Sequence, residues 1–207
     1  MNIQKRKFLQ LVAGSGVMFG LTACGGGDDT PVAGGAGGGG GGGGGGTGSL
    51  TITGSSNIPV STVLTPDTGT PGVSNAALAG KLLIATAVDL NGSLLRSLVM
   101  TLNPLGTGAV PAIGVVYAVQ DPDSNGNYAN ANLVLPSFSG QVSTPGGKFY
   151  LFGDVKSSGT VKVTALSATS IVLLLTNVSL TASTDARSSG TGMVILNGTV
   201  TLPLKGK

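Results

Sequence analysis

The sharpest chemical pattern in the chain is Asp121-Pro122-Asp123-Ser124-Asn125-Gly126-Asn127. Side-chain oxygens of Asp121, Asp123 and Asn125 alternate along it, the Asn127 carbonyl offers a further ligand, and Gly126 permits a sharp turn. That set suits a hard, oxygen-liganded cation such as calcium, Ca2+. With two carboxylates in the set, binding is expected in the millimolar class of extracellular modules. The same residue types also serve turn geometry alone, because Asp, Asn and Gly are the residues that tight turns select.

The pattern resembles the opening of an EF-hand loop, D-x-[DN]-x-[DN]-G, and departs from it at the twelfth position, where a bidentate glutamate would stand and Asn132 does. Asp67-Thr68-Gly69 matches the aspartic-protease triplet. Pro66 and Pro71 flank it and no second copy exists, so it reads as a proline-rich loop. Asp89 and Asp154 would make a glycosidase-like pair only if they stood about 5 to 9 Å apart across an open cleft.

The rest of the chemical inventory is thin. The chain has no His, no Trp and no Glu, so every acidic side chain is an Asp. Proton shuttling near neutral pH most often uses His or a tuned carboxylate. No lysine stands in an SxxK arrangement to activate a serine. Gly146-Gly147-Lys148 lacks the earlier glycine of a phosphate loop. These absences point to a protein that is not an enzyme.

Charge excludes a further class. Charged residues make up 9% of the 207 residues, where about 25% is typical. The net charge of +3 comes from eleven basic and eight acidic residues, and Lys5, Arg6 and Lys7 lie in what reads as a removable leader. Without them the chain is neutral, so no nucleic-acid partner is expected.

That leader has a basic start, an apolar stretch from Phe8 to Leu21 and small residues before the sole cysteine. The stretch is too short and glycine-rich for a spanning helix, which needs roughly 20 apolar residues. Leu21-Thr22-Ala23-Cys24 resembles the lipobox of bacterial lipoproteins. The resemblance implies cleavage after residue 23 and a diacylglyceryl thioether, usually with an N-acyl chain, on Cys24. Two or more acyl chains give stable membrane anchoring. Lys5-Arg6-Lys7-Phe8-Leu9-Gln10 resembles the twin-arginine export motif with Lys in place of the first Arg, so both export routes stay open. Gly25 lacks the aspartate that holds such proteins in the inner membrane of enteric bacteria, which implies the outer membrane. An envelope protein or surface partner is expected, of unknown identity.

Residues 24–48 form a glycine-rich tether with almost nothing to bury, expected to be disordered. As a flexible coil of about 25 residues it spans roughly 28 Å. Its incidental GxGxxG matches follow no strand and open no helix, so they carry no dinucleotide reading.

Residues 49–207 read as a single all-β domain, because apolar and polar residues alternate between turn signals. Strands are expected near 50–53, 81–89, 94–102, 113–120, 148–155, 159–166, 170–181 and 193–202. Turns are expected at Asn91-Gly92 and Ser158-Gly159, and Asn57 to Gly72, with its prolines, is expected to be irregular. About 7–8 strands predict an antiparallel β-sandwich or a closed barrel. A porin-like barrel does not fit, since aromatic girdles are absent and Leu173 to Leu175 interrupt the alternation a lumen requires. Phe149-Tyr150-Leu151-Phe152 would place Tyr150 and Phe152 on one face, as core packing or as a stacking surface.

Overall fold

The computed structural model describes residues 48–58, 63–68, 73–91, 93–142, 146–153 and 156–205. The leader, Cys24, the tether up to Thr47, Gly69, Gly92 and Asp154 lie outside the described residues. Among the described residues there is no helix, and so none long and apolar enough to cross a membrane.

The described residues form eleven strands in chain order: β1 (Leu50–Gly54), β2 (Val63–Leu64), β3 (Asn75–Ala79), β4 (Leu82–Asn91), β5 (Leu94–Leu102), β6 (Val116–Val119), β7 (Leu133–Val142), β8 (Phe149–Phe152), β9 (Ser158–Leu166), β10 (Ser170–Thr181) and β11 (Met193–Lys205). Eight of them close into a barrel in the order β10-β9-β6-β7-β5-β4-β3-β11, with β11 pairing back onto β10. The barrel is mixed rather than antiparallel throughout, because β6–β7 and β3–β11 run parallel. β1 extends from β11, β2 from β1 and β8 from β7. Of the two expected architectures, the closed barrel is the one adopted.

Eight strands enclose an interior just wide enough for side chains to fill, and the alternation along each strand decides which ones fill it. In β5, Leu94, Arg96, Leu98, Met100 and Leu102 are buried, while Leu95 and Ser97 face out. β10 does the same with Ile171, Leu173 and Leu175, then changes phase to Val178 and Leu180. The change of phase is a β-bulge at Thr176-Asn177, where the pairing to both neighbours shifts and Asn177 takes φ 48°. One extra residue keeps Val178 and Leu180 inside; a continuous strand would turn them outward. Leu173 to Leu175 therefore do not interrupt the alternation, since Leu174 faces out between two inward leucines. The apolar interior itself is what separates this barrel from a water-filled porin.

Three strands were not legible. β7 carries Pro136 and Gly140, both poor strand formers; β3 is alanine-rich, and β2 has two residues. In β7 these residues point inward, and a Cβ at Gly140 would lie 2.5 Å from Ile58 Cδ1, so glycine admits Ile58 against the sheet. Ser158-Gly159 is not a hairpin turn. Both residues belong to β9, and Gly159, at φ 113°, leaves room for the backbone of the β10 bulge.

The two ends of the barrel differ. At the end holding the β4–β5 connection, Ile58 and residues 63–67 cover the interior, with the Asp67 amide donating to the Val88 carbonyl at 2.6 Å. The other end holds the β3–β4 turn, the β9–β10 turn and the connection from β5 to β6.

Candidate functional site

The residues expected to hold calcium lie in the connection between β6 and β7, where Asp121, Asp123 and the Asn127 carbonyl bond to the chain. Asp123 Oδ1 accepts from the amides of Asn125 and Asn127, both at 2.8 Å. The Asn127 carbonyl accepts from the Asp123 amide at 2.8 Å, and the Asp123 carbonyl from Gly126 at 3.0 Å. Asp121 Oδ2 accepts from the Ser157 amide at 3.1 Å, which ties the loop to the start of β9. The backbone bond from Asn127, with that from Asn125, holds the Asp123 carboxyl below its ordinary range. This is the bonding of a turn, and among the described residues no group of three acidic, His or Cys side chains gathers around a metal position. Millimolar calcium is expected to leave the melting temperature unchanged in a thermal scan; a rise of several degrees would mean that the loop reorganises around the ion.

Asp89 does not face a cleft. It points into the barrel and forms a two-pronged ion pair with Arg96 of the neighbouring strand: Arg96 Nη2 lies 2.6 Å from Oδ2, and Nε lies 3.0 Å from Oδ1. Arg96, only 1% exposed, also donates through Nη2 to the Val63 carbonyl at 2.8 Å, and Asp89 Oδ2 accepts from the Thr65 amide at 2.9 Å. The pair thus clamps residues 63–65 to the β4–β5 hairpin. Asp185 bonds Arg187 on the surface, and that bond holds its carboxyl down at about 2. The stabilisation from this second pair is present above the ordinary carboxylate range and fades as the pH falls toward 2; exposure keeps it small.

The aromatic run resolves toward packing. Tyr150 and Phe152 are buried, and Phe152 meets Phe138 with ring centroids 6.2 Å apart. Ser183, Ser188 and Ser189 bond β8 along its remaining edge, which leaves Phe149 and Leu151 half-covered.

The feature with the form of a contact surface is one the sequence reading did not single out. Residues 103–116 join β5 to β6 without a single charged residue. They present Leu105 (55% exposed), Val110 (48%), Ile113 (65%) and Val116 (43%) to solvent. Such exposure costs free energy, yet the loop is firmly built. Asn103, fully buried at φ 56°, lies at its centre. Its Nδ2 donates to the Lys81 carbonyl at 3.1 Å and the Ala109 carbonyl at 3.4 Å, while its Oδ1 accepts from the Gly108 amide at 2.8 Å. Asn132 Oδ1 accepts from the Ala109 amide at 2.8 Å, and the Tyr117 hydroxyl donates to the Ala109 carbonyl at 3.0 Å. The Gly114 amide bonds the Val163 carbonyl of β9 at 2.8 Å.

The polar groups of the loop are thus turned inward and its aliphatic groups outward. Asn103→Ala would remove the donor to the Lys81 carbonyl, the acceptor of the Gly108 amide and one of two donors to the Ala109 carbonyl, and would put alanine at a left-handed backbone. A loss of about 3 kcal/mol in chemical denaturation is expected. The strand expected over 113–120 begins only at Val116, because Gly114 and Val115 bond Val163 before the barrel ladder starts, leaving Ile113 outside.

These features define the class: a small all-β domain on a closed mixed barrel, one end clamped by a buried ion pair and the other bearing an ordered apolar loop. No protein-family model matches the chain, and neither does any curated protein or any solved structure.

Proposed function

We propose that the chain is a bacterial lipoprotein of the cell envelope, anchored through acyl chains on Cys24, with a non-enzymatic barrel domain that acts by contact. The anchor rests on the leader and on Leu21-Thr22-Ala23-Cys24, followed by glycine that gives a thiol no core to enter. The contact role rests on one observation above the others: a loop pinned by the buried Asn103 holds four aliphatic side chains in water. An ordered apolar surface on a folded domain is the mark of an interaction site. The chemistry available elsewhere is already engaged, since the buried Asp89 and Arg96 neutralise each other and the Asp123 carboxylate closes its own turn.

Replacing Cys24 by Ser is the direct experiment on the anchor. The wild-type chain is expected in the membrane fraction of the native envelope and the variant in the soluble fraction. Retention of the variant on membranes would contradict the lipid reading.

A further inference from the structure

We propose that the barrel end bearing residues 103–116 docks on the phospholipid bilayer that holds the chain, with Leu105, Val110, Ile113 and Val116 entering the boundary between headgroups and acyl chains. The inference builds on the lipid anchor proposed above and adds an orientation to it.

Strand direction fixes the end from which the chain approaches β1. β1 runs antiparallel to β11, β11 runs parallel to β3, and β3 ends at the Gly80-Lys81 turn whose carbonyl Asn103 bonds. The chain therefore enters β1 from the end that carries the loop. If residues 24–48 behave as the flexible chain their composition predicts, with a span of roughly 28 Å, the lipid on Cys24 would be tied to that end.

The loop also meets part of the condition that a bilayer sets. Main-chain groups entering an apolar phase must be bonded within the protein, and Asn103, Asn132, Tyr117 and Val163 supply such bonds to residues 108, 109 and 114. The side chains it offers are aliphatic.

Charge agrees with a lipid surface. Residues 79–82, 102–116, 131–133, 166–170 and 203–205 make up this end, and they include Lys81 and Lys205 but no aspartate. Both lysines are exposed, so they can reach anionic headgroups while the loop enters between them. The described aspartates lie in other segments, at 67, 89, 121, 123 and 185.

The absence of Trp makes a clean reporter available. The lipidated full-length chain carrying Ile113→Trp is reconstituted on vesicles of phosphatidylethanolamine and phosphatidylglycerol, with and without brominated acyl chains. Leu105→Trp serves as a second reporter, and Leu90→Trp, at a position 66% exposed beside the β4–β5 connection, marks the opposite end. Blue-shifted emission and about twofold quenching by brominated lipid are expected at positions 113 and 105 and not at 90. Water-like emission at 113 and 105 from protein that stays on the vesicles would overturn the docking and leave the anchor standing. Equal quenching at all three positions would overturn the orientation. Shielding of position 113 that appears only with native envelope extract would assign the loop to a protein partner instead. Protein that carries no lipid and leaves the vesicles would overturn the anchor, and the docking with it.

Discussion

Arg96→Met is expected to destabilise the barrel by about 3 to 5 kcal/mol, the usual cost of removing one member of a buried ion pair. Methionine occupies much of the space of the arginine stem, so the effect is electrostatic more than a matter of volume. Asp89 would stay inside the barrel with its carboxylate bonded only by Thr65 among the partners described above, and the bond from Arg96 to the Val63 carbonyl would be lost. For a domain of this size each kcal/mol lowers the melting temperature by roughly 2 to 4 °C, which predicts a fall of about 6 to 20 °C. A partner substitution gives the control. Adding Asp89→Asn removes the stranded charge, so the double variant should be more stable than Arg96→Met alone. Equal or lower stability of the double variant in urea denaturation would mean that the pair is not the clamp described here.

The second large effect is Gly159→Ala, a change of one methyl group. The new Cβ would press on the Asn177 carbonyl and lie 2.7 Å from the Cα of Val178. These are backbone atoms of the β10 bulge, so no side-chain rotation relieves the contact. Gly159 also holds φ 113°, a region that L-residues rarely adopt. The two costs together predict a loss of about 3 kcal/mol. Because the bulge sets which residues of β10 face inward, the damage should reach Val178 and Leu180 in the core. Denaturation midpoints of Gly159→Ala within experimental error of wild type would contradict the role given to the bulge.

These two sites show where the sequence was legible and where it was not. β5 and β10 could be read to their end residues, because long runs of β-branched and leucine residues bounded by turn signals leave one assignment. The bulge in β10 was invisible. A phase change after Leu175 looks like a flaw in alternation, and the glycine that accommodates it looks like a turn. β7 was hidden for a related reason, as Pro136 and Gly140 weaken the strand signal while packing inward in a barrel whose neighbours fix their places.

The candidate sites follow the same division. Asp121-x-Asp123-x-Asn125-Gly126 has one spacing that serves a turn or an ion site, and the structure shows the turn bonds, with the Asn125 and Asn127 amides donating to Asp123. Residues 103–116 carry Asn-Pro, Gly-x-Gly and Val-Pro punctuation that marks a loop, yet their aliphatic content suggests core. Nothing in the local pattern says that those side chains point outward. That depends on Asn103 bonding the Lys81 carbonyl just before the adjacent strand β4, a contact between residues 22 positions apart. Cys24 was the reverse case, since its reading depends on the order of neighbouring residues and needs no fold.

The lipid on Cys24 underlies both the anchor and the orientation, and it can be read by mass spectrometry of the mature N-terminal segment of protein taken from the native envelope. A segment beginning at Cys24 and carrying the mass of a diacylglyceryl group, with or without an N-acyl chain, is the predicted result. A chain that still begins upstream of Cys24, or one that begins there with an unmodified thiol, would contradict the account.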